Sequence, residues 1–175
     1  MTKTELERKR FGEVVGVVQR LRGLLSDSTP DSEDVRTWLR YLAALKTLQG
    51  NSSNDMSFLA CLLAKEYLEQ QHGPLGLDVA AKAQGAAGLD IDVTTTAGAR
   101  IVAEVKTMTP YRVREFGGNQ RTAFKKDFAK LRTEVATHTY LFVTDPVAYQ
   151  VLLMHYEADL AGVNLVLLDP DDLAA

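Results

Sequence analysis

Between Leu89 and Thr96 the residues Leu-Asp-Ile-Asp-Val-Thr-Thr-Thr alternate between apolar and polar. That alternation constrains the chain more than any other segment. Side chains of a strand point to opposite faces with a period of two, so a helix would scatter these residues around its circumference. Ala97, Gly98 and Ala99 then supply a turn, and Arg100 to Met108 reads as a second strand. The two form a hairpin. Leu89, Ile91 and Val93 fall on one face of the first strand, Asp90 and Asp92 on the other. In the second strand Ile101, Ala103 and Val105 share a face, while Glu104 and Lys106 point the opposite way.

Around the hairpin the apolar residues repeat at three- and four-residue spacing, as amphipathic helices require. Residues 3–25 form one, through Phe11, Val14, Val15, Val18, Leu21 and Leu25. After the turn-rich stretch 26–34, Asp31 or Ser32 can cap a second helix over about 33–49, with Val35, Trp38, Leu39, Leu42 and Leu45 as its buried stripe. A third helix runs from about Met56 to Gln71 and is stopped by Gly73 and Pro74. Beyond the hairpin, residues 110–119 read as a loop. A helix follows over 120–136, with Phe124, Phe128, Leu131 and Val135 as its stripe. Then come a strand over 139–145, a helix over 146–160 and a strand over 163–168. Helices, a hairpin, then helix–strand–helix–strand predict an α/β (α+β) chain with a mixed sheet and helices on its faces. Residues 1–50 stand apart as an N-terminal helical extension and 51–175 as the core, with no linker strong enough to separate them.

Composition excludes several classes. The chain has 175 residues, 46% hydrophobic and 25% charged, which is average for a globular protein. One cysteine, Cys61, permits neither a disulfide framework nor a multi-cysteine zinc site, and its apolar helix places it in a core. The charged N-terminus lacks the apolar run of a signal peptide. No stretch approaches about 18 consecutive apolar residues. A cytoplasmic chain with no membrane partner is expected. His72, His138 and His155 lie at no metal-ligand spacing, and no glycine-rich nucleotide fingerprint is present. Asp169, Asp171 and Asp172 read as a solvated terminus.

The hairpin carries the chemistry. Closing it brings Asp90, Asp92 and Glu104 to one side of a sheet beside Lys106. Clustered like charges are costly unless compensated. A hard divalent cation with oxygen ligands would compensate them, and Mg2+ needs only one or two carboxylates plus substrate phosphate. Metal-assisted attack of water on a phosphodiester fits that arrangement. Acid–lysine pairs on a sheet are most often a solvated surface. Here the paired aspartates, the turn length and the following basic segment argue for the site. Residues 111–132 hold seven Lys or Arg against two acids, a local excess of five positive charges inside a chain of net charge −3. Arg112 and Arg114 lie on the loop, Arg121, Lys125, Lys126, Lys130 and Arg132 on the helix, and such a cluster gives DNA phosphates a contact surface.

Asp92, followed twelve residues later by Glu104-Val105-Lys106 on the neighbouring strand, resembles the signature of the PD-(D/E)XK nucleases. The element order over about 55–168 is similar to that superfamily's restriction-endonuclease-like αβββαβ core. The resemblance implies that Asp92, Glu104 and the backbone carbonyl of Val105 hold Mg2+, with Mn2+ as a substitute, and that Lys106 positions or polarises the attacking water. Asp92 is preferred to Asp90 for its spacing to Glu104, and Ile91 stands where the family name has Pro. Glu66 matches the family's helix glutamate, although Asp55 and Glu69 lie on the same helix. Gln120, one turn before Phe124, is the polar residue expected near the site at the start of the following helix. Gln84 reads either as a DNA contact or as part of a flexible connector with Gly85 and Gly88. The implied function is a Mg2+-dependent DNA endonuclease of type II restriction kind, leaving a 5′-phosphate and acting as a homodimer, with an accessory subunit a further partner. A structure-specific nuclease for junctions or repair intermediates is the second reading, and a non-catalytic DNA-binding module the third. The N-terminal helices would serve dimerisation or recognition.

Overall fold

A computed structural model describes residues 1–27, 30, 34–83, 86–110 and 115–169. It divides into two units, Thr2–Asp55 and Met56–Ala175, the latter together with Met1.

The N-terminal unit is built from helices α1 (Glu5–Asp27) and α2 (Val35–Gln49). Reciprocal bonds start α1: the Thr4 N–H donates to the Glu7 carboxylate (2.9 Å) and the Glu7 N–H to Thr4 Oγ1 (3.1 Å). Asp34 caps α2 by accepting from the N–H groups of Arg36 and Thr37. The expected caps Asp31 and Ser32 lie outside the described residues. Gly50, at φ +56°, ends α2 in the left-handed region that glycine enters without a steric penalty. The apolar stripe expected to be buried on α2 is largely open: Val35, Leu39 and Leu42 are exposed, and Tyr41 is the buried residue of this helix. On α1 the buried member is Val14, while Val18 and Leu25 are exposed.

The second unit is layered. Helix α3 (Ser52–His72), whose first turn belongs to the N-terminal unit, leads into a four-stranded sheet in the order β1-β2-β3-β4. The strands are β1 (Ile91–Thr94), β2 (Arg100–Lys106), β3 (His138–Val143) and β4 (Asn164–Leu167), with helix α4 (Gly118–Thr133) between β2 and β3 and helix α5 (Pro146–His155) between β3 and β4. The hairpin pair β1–β2 is antiparallel, with Ile91 opposite Ala103 and Asp92 opposite Val102, and the other two pairs are parallel. Helix crossovers are what parallel neighbours need. The chain is therefore a mixed α/β protein with a mixed sheet flanked by helices. Between α3 and α4 the described residues form two strands, one fewer than an αβββαβ order requires. The stretch 79–88 is mostly alanine and glycine, which pack poorly on a pleated surface.

Both faces of the sheet are covered. Ala60, Ala64 and Leu68 of α3 pack on Ile91, Ile101, Ala103, Val105, Tyr140 and Phe142. On the other face Phe124, Phe128 and Leu131 of α4 and Ala148, Val151 and Leu152 of α5 pack on Val102, Leu141 and Val143. Strand β2 is accordingly buried from Ile101 through Val105. Leu89 departs from the expected face: it joins Val102 and Phe124, because regular pairing begins only at Ile91 and Gly88 turns the chain at φ +98°. Val135 also leaves its expected stripe. Helix α4 ends at Thr133, Glu134 is extended, and Val135 is exposed.

Candidate active site

Strand β2 carries Glu104 and Lys106 two residues apart, so both project from one face of a strand covered on both sides. Glu104 is only 2% exposed. Asp90, an exposed residue just before β1, accepts the Val105 N–H through Oδ2 at 2.8 Å, which brings its charge close enough to act on Glu104. Lys106 Nζ lies 3.5 Å from Glu104 Oε2.

Helix α4 completes the cluster. Asp127 is buried and places Oδ2 2.9 Å from Lys106 Nζ. Lys130, one turn further on, sets its ammonium 2.9 Å from Glu104 Oε1 and 3.8 Å from Asp127 Oδ1. It also reaches the Gly88 carbonyl at 3.4 Å. Glu104 and Asp127 are therefore buried carboxylates that share the ammonium groups of Lys106 and Lys130, with the exposed Asp90 at the edge of the cluster. Asp127 Oδ2 has no aligned hydrogen-bond donor among the described residues, so its contact with Lys106 is one of charge.

Electrostatics follow from this geometry. Burial, and then the neighbouring Asp90, push the Glu104 carboxyl above the usual range against the pull of Lys130 and Lys106. Burial alone would lower the Lys106 pKa. Asp127, Glu104 and Asp90 outweigh it and raise the group above an ordinary lysine, so Lys106 is an ammonium at neutral pH and acts as a cation. Cys61 on α3 feels the same groups. Burial, with Asp90 next, pushes its thiol up to about 12.

The other residues singled out in the sequence fall elsewhere. Asp92 shares a face with Asp90 but is held by Arg100 through both oxygens, at 2.9 Å and 2.7 Å, and is half exposed. Arg100 in turn bonds Glu134 and the Val135 carbonyl. Both aspartates are exposed, but Asp90 is the one whose charge acts on Glu104, with Asp92 engaged by Arg100. Glu66 pairs with the amino group of Met1 at 3.8 Å, and Asp55 pairs with Arg10 within the N-terminal unit. Gln120 ties the loop after β2 to the start of α4: its Oε1 accepts from Gly117 N–H (2.9 Å) and its Nε2 donates to the Thr109 carbonyl (2.7 Å). Arg121, Lys125 and Lys126 lie on the exposed side of α4. Gln84, Arg112 and Arg114 lie outside the described residues.

Asp127 is the member that sequence reading passed over. It stands inside a basic run, Lys125-Lys126-Asp127, yet it is three residues after Phe124 and four before Leu131, on the inward stripe of the helix. An acid on an apolar stripe needs a cationic partner, and that was the available signal.

The arrangement can hold a cation. Among the described residues no three acidic, His or Cys side chains converge on one point. Asp90, just before β1, and Glu104 on β2 nonetheless supply two hard oxygen donors around the Val105 backbone, and Mg2+ can be held by one or two carboxylates. The burial of Glu104 beside the charge of Asp90 agrees with that fit. No helix among the described residues is long and apolar enough to cross a membrane. No family model, curated protein or solved structure matches this chain.

Proposed function

We propose that this protein is a Mg2+-dependent endodeoxyribonuclease of the PD-(D/E)XK kind, with Asp90, Glu104 and Lys106 as its reactive set. The observation that carries the reading is the Asp90 carboxylate on the Val105 N–H, beside the 2%-exposed Glu104, with Lys106 3.5 Å from Glu104. A buried carboxylate whose pKa is raised, beside a second acid and a lysine, is a candidate for metal-assisted phosphoryl chemistry. Asp90, Glu104 and the Val105 carbonyl would hold the cation. When bound it supplies charge neutralisation at the scissile phosphate and a more acidic water.

The chain's own groups do the rest. Lys106, kept protonated by Asp127, Glu104 and Asp90, directs its ammonium toward the charge that develops on the phosphate oxygens. The apolar layer that includes Val102, Phe128 and Leu141 lies on the sheet face of Glu104, and Glu104 and Asp127 are buried there, where their interactions are strong. Arg121, Lys125 and Lys126 on the open side of α4 supply the contact for the DNA backbone. Double-strand cleavage by a protein with one such set takes two copies, hence a homodimer.

The test is cleavage of supercoiled plasmid, mixed-sequence linear DNA and a four-way junction, each in Mg2+ and in EDTA. Discrete plasmid fragments in Mg2+ establish a sequence-specific enzyme of restriction type. Cutting confined to the junction reassigns it to the structure-specific class. No cutting of any substrate overturns the nuclease reading.

A further inference from the structure

We infer that Asp127 and Lys130 of α4 are positioning residues that decide where the Lys106 ammonium sits and whether Glu104 can accept a cation. The inference rests on the metal-site reading above and extends it to a helix that carries neither carboxylate of the hairpin.

The geometry is a closed exchange of partners. Glu104 divides its two oxygens between two ammonium groups: Oε1 takes Lys130 at 2.9 Å and Oε2 faces Lys106 at 3.5 Å. Lys106 is drawn away from Glu104 toward Asp127, which it meets at the shorter distance of 2.9 Å. The two interactions differ in permanence. Asp127 is buried, and Lys106 at 2.9 Å is its nearer cation, with Lys130 more distant at 3.8 Å. The Lys130 side chain is 43% exposed and also touches the Gly88 carbonyl, so its ammonium can swing into water at small cost. Asp127 is a fixed anchor and Lys130 a removable cap.

Two consequences have opposite sign. Lys130 occupies, with its own charge, an oxygen that a divalent cation needs, so removing it should strengthen cation binding. Asp127 keeps Lys106 off Glu104 and adds a negative charge to the cluster, so neutralising it should weaken cation binding. A role confined to folding would not separate the two variants in this way.

The experiment is calorimetric titration of the full chain with Mn2+, comparing wild type, Lys130→Gln, Asp127→Asn and Asp127→Glu, each checked for its native circular dichroism. Lys130→Gln should tighten Mn2+ by about fivefold, the scale of a partly solvated charge pair. Asp127→Asn should weaken it by at least about tenfold, since the charge lost is buried. Asp127→Glu should recover most of that loss. In plasmid cleavage Asp127→Asn should lower kcat with KM for DNA unchanged, because Lys106 contacts no ground-state determinant of DNA binding. Should Asp127→Asn fail to fold, Lys130→Gln and Asp127→Glu still decide the matter, through a tightened and a near-native affinity. Equal affinities across the set, or weaker Mn2+ binding in Lys130→Gln, overturn the inference while leaving the metal site intact. Absence of Mn2+ binding by the wild type overturns both.

Discussion

Replacing Lys106 by Met tests the buried cluster without reference to catalysis. Met conserves most of the stem and removes the ammonium, stranding Asp127 Oδ2. At 2.9 Å the Lys106–Asp127 attraction is about 6 kcal/mol at an effective dielectric of about 20. Desolvation of both groups offsets roughly half of it, and Lys130, 3.8 Å from Asp127 Oδ1, can lean in to recover a little more. The net loss should be about 3 kcal/mol, at the lower end of what breaking a buried pair costs. With a urea slope of about 1.5 kcal/mol/M, the midpoint should fall by about 2 M. The assay is equilibrium urea unfolding in EDTA at pH 7.5, followed by circular dichroism. The decisive companion is Lys106→Met with Asp127→Leu. Removing both charges leaves the Glu104–Lys130 pair intact and exchanges an ionic contact for an apolar one, so the double variant should return to within about 1 kcal/mol of wild type. A loss below about 0.5 kcal/mol for Lys106→Met refutes the reasoning. So does a double variant as unstable as the sum of its singles.

Two further outcomes follow from the same charges. Lys106 is raised above an ordinary lysine, so its stabilising contribution is fully present below the unfolded value of 10.5 and is lost as pH rises through the higher folded value. The urea midpoints of wild type and Lys106→Met should therefore stay a constant distance apart from pH 8 to about 10 and converge only at more alkaline pH. With its thiol pushed up to about 12, Cys61 should be alkylated by iodoacetamide at pH 8 at least about a hundredfold more slowly than a free cysteine, and should become reactive in step with urea unfolding.

How much of this could be read from the residues depended on whether the information was local. The alternation over 89–96 and the turn around Gly98 located the hairpin, and the sequence periods gave the order of strands and helices that the sheet adopts. Period two also placed Glu104 and Lys106 on one face. What one dimension could not supply was which partner each charge would meet. Asp92 looked the better spaced carboxylate, yet antiparallel register sets Arg100 diagonally across from it, and the guanidinium takes both oxygens. Asp90, less favoured by spacing, takes the Val105 N–H beside Glu104, a placement set by how the chain enters the hairpin. Lys130 was read as part of a basic surface and Asp127 was passed over, although Asp127 meets Lys106 and Lys130 bends back to Glu104. The stripe on α2 failed for a different reason: amphipathic periodicity states which face is apolar and not what covers it, and Val35, Leu39 and Leu42 are exposed.

The central claim is that the carboxylate working with Glu104 is Asp90 and that together they support metal-dependent cleavage. The initial rate of supercoiled plasmid relaxation in Mg2+, compared between wild type, Asp90→Asn and Asp92→Asn, tests it most directly. The account predicts Mg2+-dependent nicking by the wild type, a loss of at least about a hundredfold in Asp90→Asn, and a rate within about threefold of wild type in Asp92→Asn, the scale of losing a cation-binding group against losing a surface ion pair. Full activity in Asp90→Asn, with the loss falling on Asp92→Asn instead, would contradict it.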